Sequence, residues 1–111
     1  MNYYTSHSTS SIKDVLKDKA FYFYNGIDRP IGKVAMDLQQ FYEILKAVDI
    51  ESIEFHLYRE DFEKWLRAIG EENLTAEVSK IRMGALSGES CRRGMCEVVG
   101  AHLREYVRRV V

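Results

Sequence analysis

The chain lacks most of the features that would settle its chemistry at a glance. Its 111 residues include one proline and two cysteines, and they carry no surplus of positive charge, the formal net charge being −1. A single proline leaves long uninterrupted helices open. A near-neutral balance argues against a general binder of phosphate backbones, which usually carries a basic surplus. No stretch reaches the roughly 18 consecutive apolar residues that a spanning helix needs. The opening residues, MNYYTSHSTSSIKD, have neither the basic nor the apolar region of a secretory signal, so no membrane role and a cytoplasmic setting are expected.

Cys91 and Cys96, in CRRGMC, fit zinc-site spacing only at its loose end and have no second pair to complete a ligand set. Five residues on a helix turn through about 140°, so the two sulfurs face different ways. Neither a metal nor a cofactor is expected. Also missing are a nucleophile elbow, a Gly-rich phosphate loop and a second acidic cluster at a telling spacing. No catalytic residue is assigned, and the chain reads as a non-enzyme.

What is present is an ordinary globular composition, 46% hydrophobic and 30% charged, in a length suited to one domain. Residues 1–10 are polar and aperiodic and read as a tail; residues 11–111 read as a single helical domain. SSIKDVLKDKA offers one short helical turn through Ile12, Val15 and Leu16. FYFY, from Phe21 to Tyr24, has the residue types of an extended strand. Turn signals at Asn25-Gly26 and Asp28 to Pro30 then lead into IGKVA, which predicts a small hairpin. A hairpin alone is marginal in water and must pack on helices.

From Met36 onward the period becomes helical. Leu38, Phe41, Tyr42, Leu45 and Val48 form one stripe, opened by the capping pair Asp37 and Gln40. Ile50, Ile53 and Leu57 share the next face, with Asp49 or Ser52 as N-cap. Phe62, Trp65, Leu66 and Ile69 make a third stripe that Gly70 ends. Leu74, Val78 and Ile81 make a fourth, followed by the linker MGALSGES. The last helix runs from about Gly88 to Val110 with Met95, Val98, Val99, His102, Leu103, Tyr106 and Val110 inward. Arg92, Arg93, Glu97, Arg104 and Arg108 are placed on its outer side. Gly94 and Gly100 either weaken this helix or admit a close neighbour. The fold class is therefore mainly α: about five helices in a compact bundle, with a short N-terminal aromatic hairpin.

The stretch EFHLYREDFEKWL, residues 54 to 66, holds the densest set of polar and aromatic groups. As one straight helix, it would place Asp61 on the apolar face of Ile50, Ile53 and Leu57 and rotate Phe62 and Leu66 away from it. A buried unpaired carboxylate is costly, so a break is predicted near Arg59 to Asp61, with Asp61 as N-cap of the new helix. Trp65 is then a core anchor. His56 sits at a stripe edge as a packed or hydrogen-bonded side chain, with a general acid–base role as the functional counterpart. Arg59 forms a corner ion pair, or else grips a phosphate or carboxylate.

The series FYFYNG, LQQFYEILKAV and SIEFHLYREDFEKWL resembles a small uncharacterised prokaryotic family, a domain of unknown function found alone or as an accessory module. The likeness runs from about Phe21 to Ile81. It is most specific in HLYREDFEKW, an HxxRxDFxxW-type pattern matched by His56, Arg59, Asp61, Phe62 and Trp65. The resemblance implies fold boundaries and a corner in the motif, and no activity.

The expectation is thus a non-enzymatic helical module acting through a protein partner, through self-association or as a regulatory accessory. Its binding residues, if drawn from the motif, are His56, Arg59, Asp61 and Trp65. The alternative is a small-ligand sensor or enzyme with a pocket around His56 and Arg59. A third reading, RNA or single-stranded DNA bound through Tyr22, Tyr24 and the arginines of the C-terminal LREYVRRVV, lacks a basic surface around the aromatics.

Overall fold

The computed structural model describes residues 19–110, with side chains through residue 108. The tail at residues 1–10 and the short turn through Ile12, Val15 and Leu16 lie outside the described residues.

The hairpin forms as its residue types predict. Strand β1 (Phe21–Tyr24) pairs antiparallel with β2 (Pro30–Ala35), with Phe21 opposite Ala35 and Tyr22 opposite Val34. Period-two alternation buries Phe21 and Phe23 and turns Tyr22 outward. The pairing then slips: Tyr24 meets Pro30, so Phe23 alone faces the three residues from Ile31 to Lys33. Gly32, at φ 74°, supplies the left-handed residue that this bulge requires. The connecting loop is tied down, with Asn25 Nδ2 donating to Asp49 Oδ2 at 2.9 Å and Arg29 pairing with Glu51 at 3.2 Å.

Five helices follow: α1 (Leu38–Leu45), α2 (Ile50–Tyr58), α3 (Asp61–Ala68), α4 (Glu72–Met83) and α5 (Glu89–Val110). Asp37 caps α1 by accepting from Gln40 N at 2.8 Å, and Gln40 Oε1 reaches back to the amide of Met36. Asp49 stands at the N-cap position of α2, but its carboxylate holds Asn25 instead of a helix amide. Ser52, the other cap candidate, is buried within the helix. Gly70, at φ 86°, ends α3 in a Schellman arrangement: its N–H bonds Arg67 O and that of Glu71 bonds Leu66 O.

The core is strongly aromatic. Phe21, Phe23, Phe41, Phe62 and Trp65 pack edge-on, tilted or stacked, with Phe41 4.8 Å from Trp65 and 5.3 Å from Phe62 between centroids. Leu45, Ile53, Leu57, Leu66, Leu74 and Val78 extend this core, and α5 closes it with Cys91, Met95 and Val99 at i, i+4 and i+8. The apolar stripe expected along all of α5 does not hold. Leu103 is half-buried and Tyr106 is 63% exposed, because the second half of the helix runs past the elements that cover the first. Arg92 also departs from expectation. It turns inward, donating to Leu45 O at 2.9 Å and pairing with Glu89, and so satisfies a carbonyl at the end of α1.

A buried ion pair joins α3 to α4. Glu63 receives Arg82 through two bonds of 2.8 and 2.9 Å and is also bonded by the Ser79 hydroxyl. Burial by itself would raise the Glu63 carboxyl; the Arg82 and Ser79 bonds outweigh it and leave the group below its usual range. No helix of the described residues is long and apolar enough to cross a membrane.

Candidate functional site

The predicted break lies between α2 and α3. Tyr58 is the last helical residue of α2, Arg59 closes that helix, and Glu60 adopts a left-handed conformation with φ 68° before Asp61 opens α3. This places Asp61 one position too late to be an N-cap. The cap position belongs to Glu60, whose side chain makes no cap bond. Among the described residues no backbone amide donates to the Asp61 carboxylate, so the capping role expected for Asp61 is corrected. Its carboxylate instead points back across the corner to His56 and Arg59.

That contact builds a relay across three elements. Tyr24 N, on β1, lies 2.8 Å from His56 Nε2, and His56 Nδ1 lies 2.8 Å from Asp61 Oδ2. A backbone N–H can only donate, so Nε2 must be the unprotonated nitrogen. The proton therefore sits on Nδ1 and is given to Asp61, which fixes both the tautomer and the ring plane. His56 is 3% exposed and sits edge-on to Phe21 at 4.8 Å. Burial holds the imidazole below its ordinary value, opposed by the Asp61 carboxylate and reinforced by the Arg59 charge. The ring is neutral, and both of its nitrogens are used by the fold.

Asp61 Oδ2 takes a second donor, Arg59 Nε, at 3.0 Å. The Arg59 guanidinium also lies over the Phe55 ring, 4.7 Å from its centroid. Its position is thus set by one hydrogen bond and one aromatic face, while Nη1 and Nη2 make no hydrogen bond among the described residues.

These groups border a cavity of about 530 Å³. The hairpin contributes Tyr22, Tyr24 and Ile27; α2 contributes Phe55 and His56; α3 contributes Lys64 and Trp65. Arg59, Asp61 and Asp28 also line it. Volume and makeup fall within the range of small-molecule sites, which are mostly apolar walls with a few placed polar groups. Trp65 is 8% exposed, and its Nε1 donates to Lys19 O, so its polar atom is in use as well.

The four residues singled out from the motif therefore come together on one cavity, in unequal roles. His56 and Asp61 are the support, Trp65 is mostly core, and Arg59 keeps donors to spare. Sequence reasoning missed Lys64, Phe55 and the hairpin wall. The alternation of FYFY is the signal that Tyr22 turns away from Phe21 and Phe23; nothing local says that it meets the α2–α3 corner.

A second concavity, about 600 Å³, lies between α4 and α5, with Glu77, Glu97 and Glu105 beside Arg104 and His102. His102 pairs there with Glu71 at 2.8 Å. Its lining carries no aromatic ring other than this imidazole. Among the described residues no cluster of three or more His, Cys, Asp or Glu is arranged to hold a metal ion.

No curated protein and no solved structure matches the chain. A family model does: it is described as a family of unknown function (DUF5752) and matches residues 4–100, so the chain belongs to that family.

Proposed function

We propose that the chain is a non-enzymatic binding module that takes its ligand in the cavity between the hairpin and the α2–α3 corner. One observation carries the reading: His56, the residue best suited to proton transfer, spends Nε2 on Tyr24 N and Nδ1 on Asp61. What the cavity offers an incoming molecule is contact surface and uncommitted donors, not an acid–base pair. Tyr22, Ile27 and Phe55 supply apolar area, and Arg59 with Lys64 supplies charge.

The test is a fragment screen read by protein-observed NMR. Binding here predicts amide shifts clustered at Tyr22, Tyr24, Phe55, Arg59 and Trp65. A chemically varied fragment set that leaves all five silent contradicts the reading.

A second reading, self-association through the outer half of α5, is favoured by Tyr106 and Val107, 63% and 56% exposed on one helix. Sedimentation of the wild type and of a Tyr106→Glu, Val107→Glu variant tests it. A wild-type dimer that becomes monomeric in the variant supports this reading, and a wild-type monomer contradicts it.

A further inference from the structure

We infer that the cavity selects a small planar monocarboxylate, an aromatic or heteroaromatic acid whose carboxylate meets Arg59 and Lys64 and whose ring lies against Phe55 and Tyr22. The inference rests on the binding reading above and adds the chemical class of the ligand.

The first support is the preorganisation of Arg59. Its Nε is held by Asp61 Oδ2, and that oxygen is itself fixed by His56 Nδ1–H, which the Tyr24 amide orients from the other side of the ring. Phe55 supports the guanidinium face. An arginine anchored through Nε presents the Nη1 and Nη2 end, and two parallel N–H donors match the two oxygens of a carboxylate. Lys64 adds a second cation at the same cavity and has no ion pair among the described residues.

The second support is charge. Four ionised side chains line the cavity: Arg59 and Lys64 against Asp28 and Asp61, a balance of zero with His56 neutral. A ligand with one negative charge is answered by the unpaired end of Arg59 and by Lys64. A phosphate monoester, near two negative charges at neutral pH, would leave about twice the uncompensated negative charge beside Asp28 and Asp61 that a monocarboxylate leaves.

The third support is shape. The walls that do not bear charge are mainly aromatic, namely Tyr22, Tyr24, Phe55 and the edge of Trp65, with Ile27 beside them. Rings favour offset or edge-on contact with other rings, so a flat group uses this lining better than a branched aliphatic one. Relays that hold a side chain in place are how binding sites lower the ordering cost of recognition.

Trp65 is the one tryptophan of the chain and lines the cavity, so its fluorescence reports occupancy directly. Three probes of similar size separate the possibilities: benzoate, its neutral amide benzamide, and phenyl phosphate. The acid is expected to bind at least tenfold more tightly than the amide or the phosphate. Lys64→Gln, an exposed change, should weaken the acid severalfold and leave the amide unaffected. Arg59→Gln should remove the acid's advantage, with a far-UV spectrum unchanged from wild type as the check on folding. Equal affinity for acid and amide overturns the inference while leaving the binding reading in place. Tighter binding of phenyl phosphate overturns it in favour of a phosphate site. Silence from all three probes also overturns it, and the binding reading falls as well only if the varied fragment screen is silent too.

Discussion

The amide of Tyr24 on β1 donates to His56 Nε2 on α2 at 2.8 Å, across 32 positions of sequence. This bond ties the hairpin to the helical corner and decides what His56 is able to do. A histidine that accepts from a main-chain N–H on one nitrogen and donates to a carboxylate on the other is a structural strut.

Replacing that strut should be costly. His56→Leu keeps the volume but strands the Tyr24 amide and removes the donor to Asp61. Leaving a buried polar group unsatisfied costs about 1–3 kcal/mol, and urea unfolding should show a loss of that size. A variant with wild-type stability would mean that the relay contributes nothing to the fold.

The same burial predicts a pH dependence. The folded-state pKa of His56 lies below the ordinary imidazole value of about 6.5. The unfolded chain therefore takes up a proton first as pH falls, and linkage makes stability drop through that window. The contribution is fully present above about pH 6.5 and is lost as pH falls through the folded value. Glu63, also held below its ordinary range, adds a loss at lower pH, below about 4.3. Unfolding midpoints between pH 7.5 and 5 should decline in the wild type and flatten in His56→Leu. A wild-type profile as flat as that of the variant contradicts the assignment.

Asp61 and Trp65 separate by size of effect. Asp61→Ala deprives the buried His56 Nδ1–H of its acceptor and should cost about 1–3 kcal/mol. Asp61→Asn, which keeps an acceptor oxygen, should cost less. An ordinary N-cap would show no such dependence on His56, so the Asp61→Ala cost should shrink markedly in a His56→Leu background. Trp65→Ala should cost about 3–5 kcal/mol, as for a large aromatic removed from a core. Near wild-type stability would put Trp65 outside the core.

Gly94 and Gly100 should respond in opposite ways to alanine. A Cβ at Gly94 would lie 3.4 Å from its nearest neighbour, the flexible Ile81 side chain. There the gain in helix propensity, up to about 1 kcal/mol, should appear as added stability. At Gly100 the Cβ would stand 3.1 Å from the Tyr42 hydroxyl and 3.2 Å from its ring, tighter than ordinary packing, so the Tyr42 side chain would have to shift. Gly100→Ala should lose stability, and a thermal melt of the two variants decides it.

Much of this fold was legible in the sequence because helix and strand periods are local. The stripe Leu38, Phe41, Tyr42 and Leu45 defines α1, and the glycine after Ile69 marks the end of α3. The corner was legible too, since the phase of Ile53 and Leu57 cannot carry through to Phe62 and Leu66. The role of Asp61 was not. Capping is the local solution for an aspartate at a helix start, and only the approach of β1 reveals that His56 needs it more. The outer half of α5 misled for a related reason: its apolar residues keep the helical period after the core beneath them has ended. Glu63 went unnoticed because its partner Arg82 lies a helix away, and a lone glutamate beside Phe62 reads as surface. Of the candidate site, the motif supplied Arg59 and its support, while the aromatic wall opposite depended on the packing of the hairpin.

The protonation state of His56 is the most direct test of a non-enzymatic module, and long-range proton–nitrogen NMR of the imidazole reads it without perturbing the fold. The prediction is a neutral ring at pH 7, protonated at Nδ1 with Nε2 as acceptor, that takes up its proton below the ordinary imidazole range. A ring protonated at Nε2, or one that titrates near the ordinary imidazole value, would free His56 for proton transfer and contradict a non-enzymatic module.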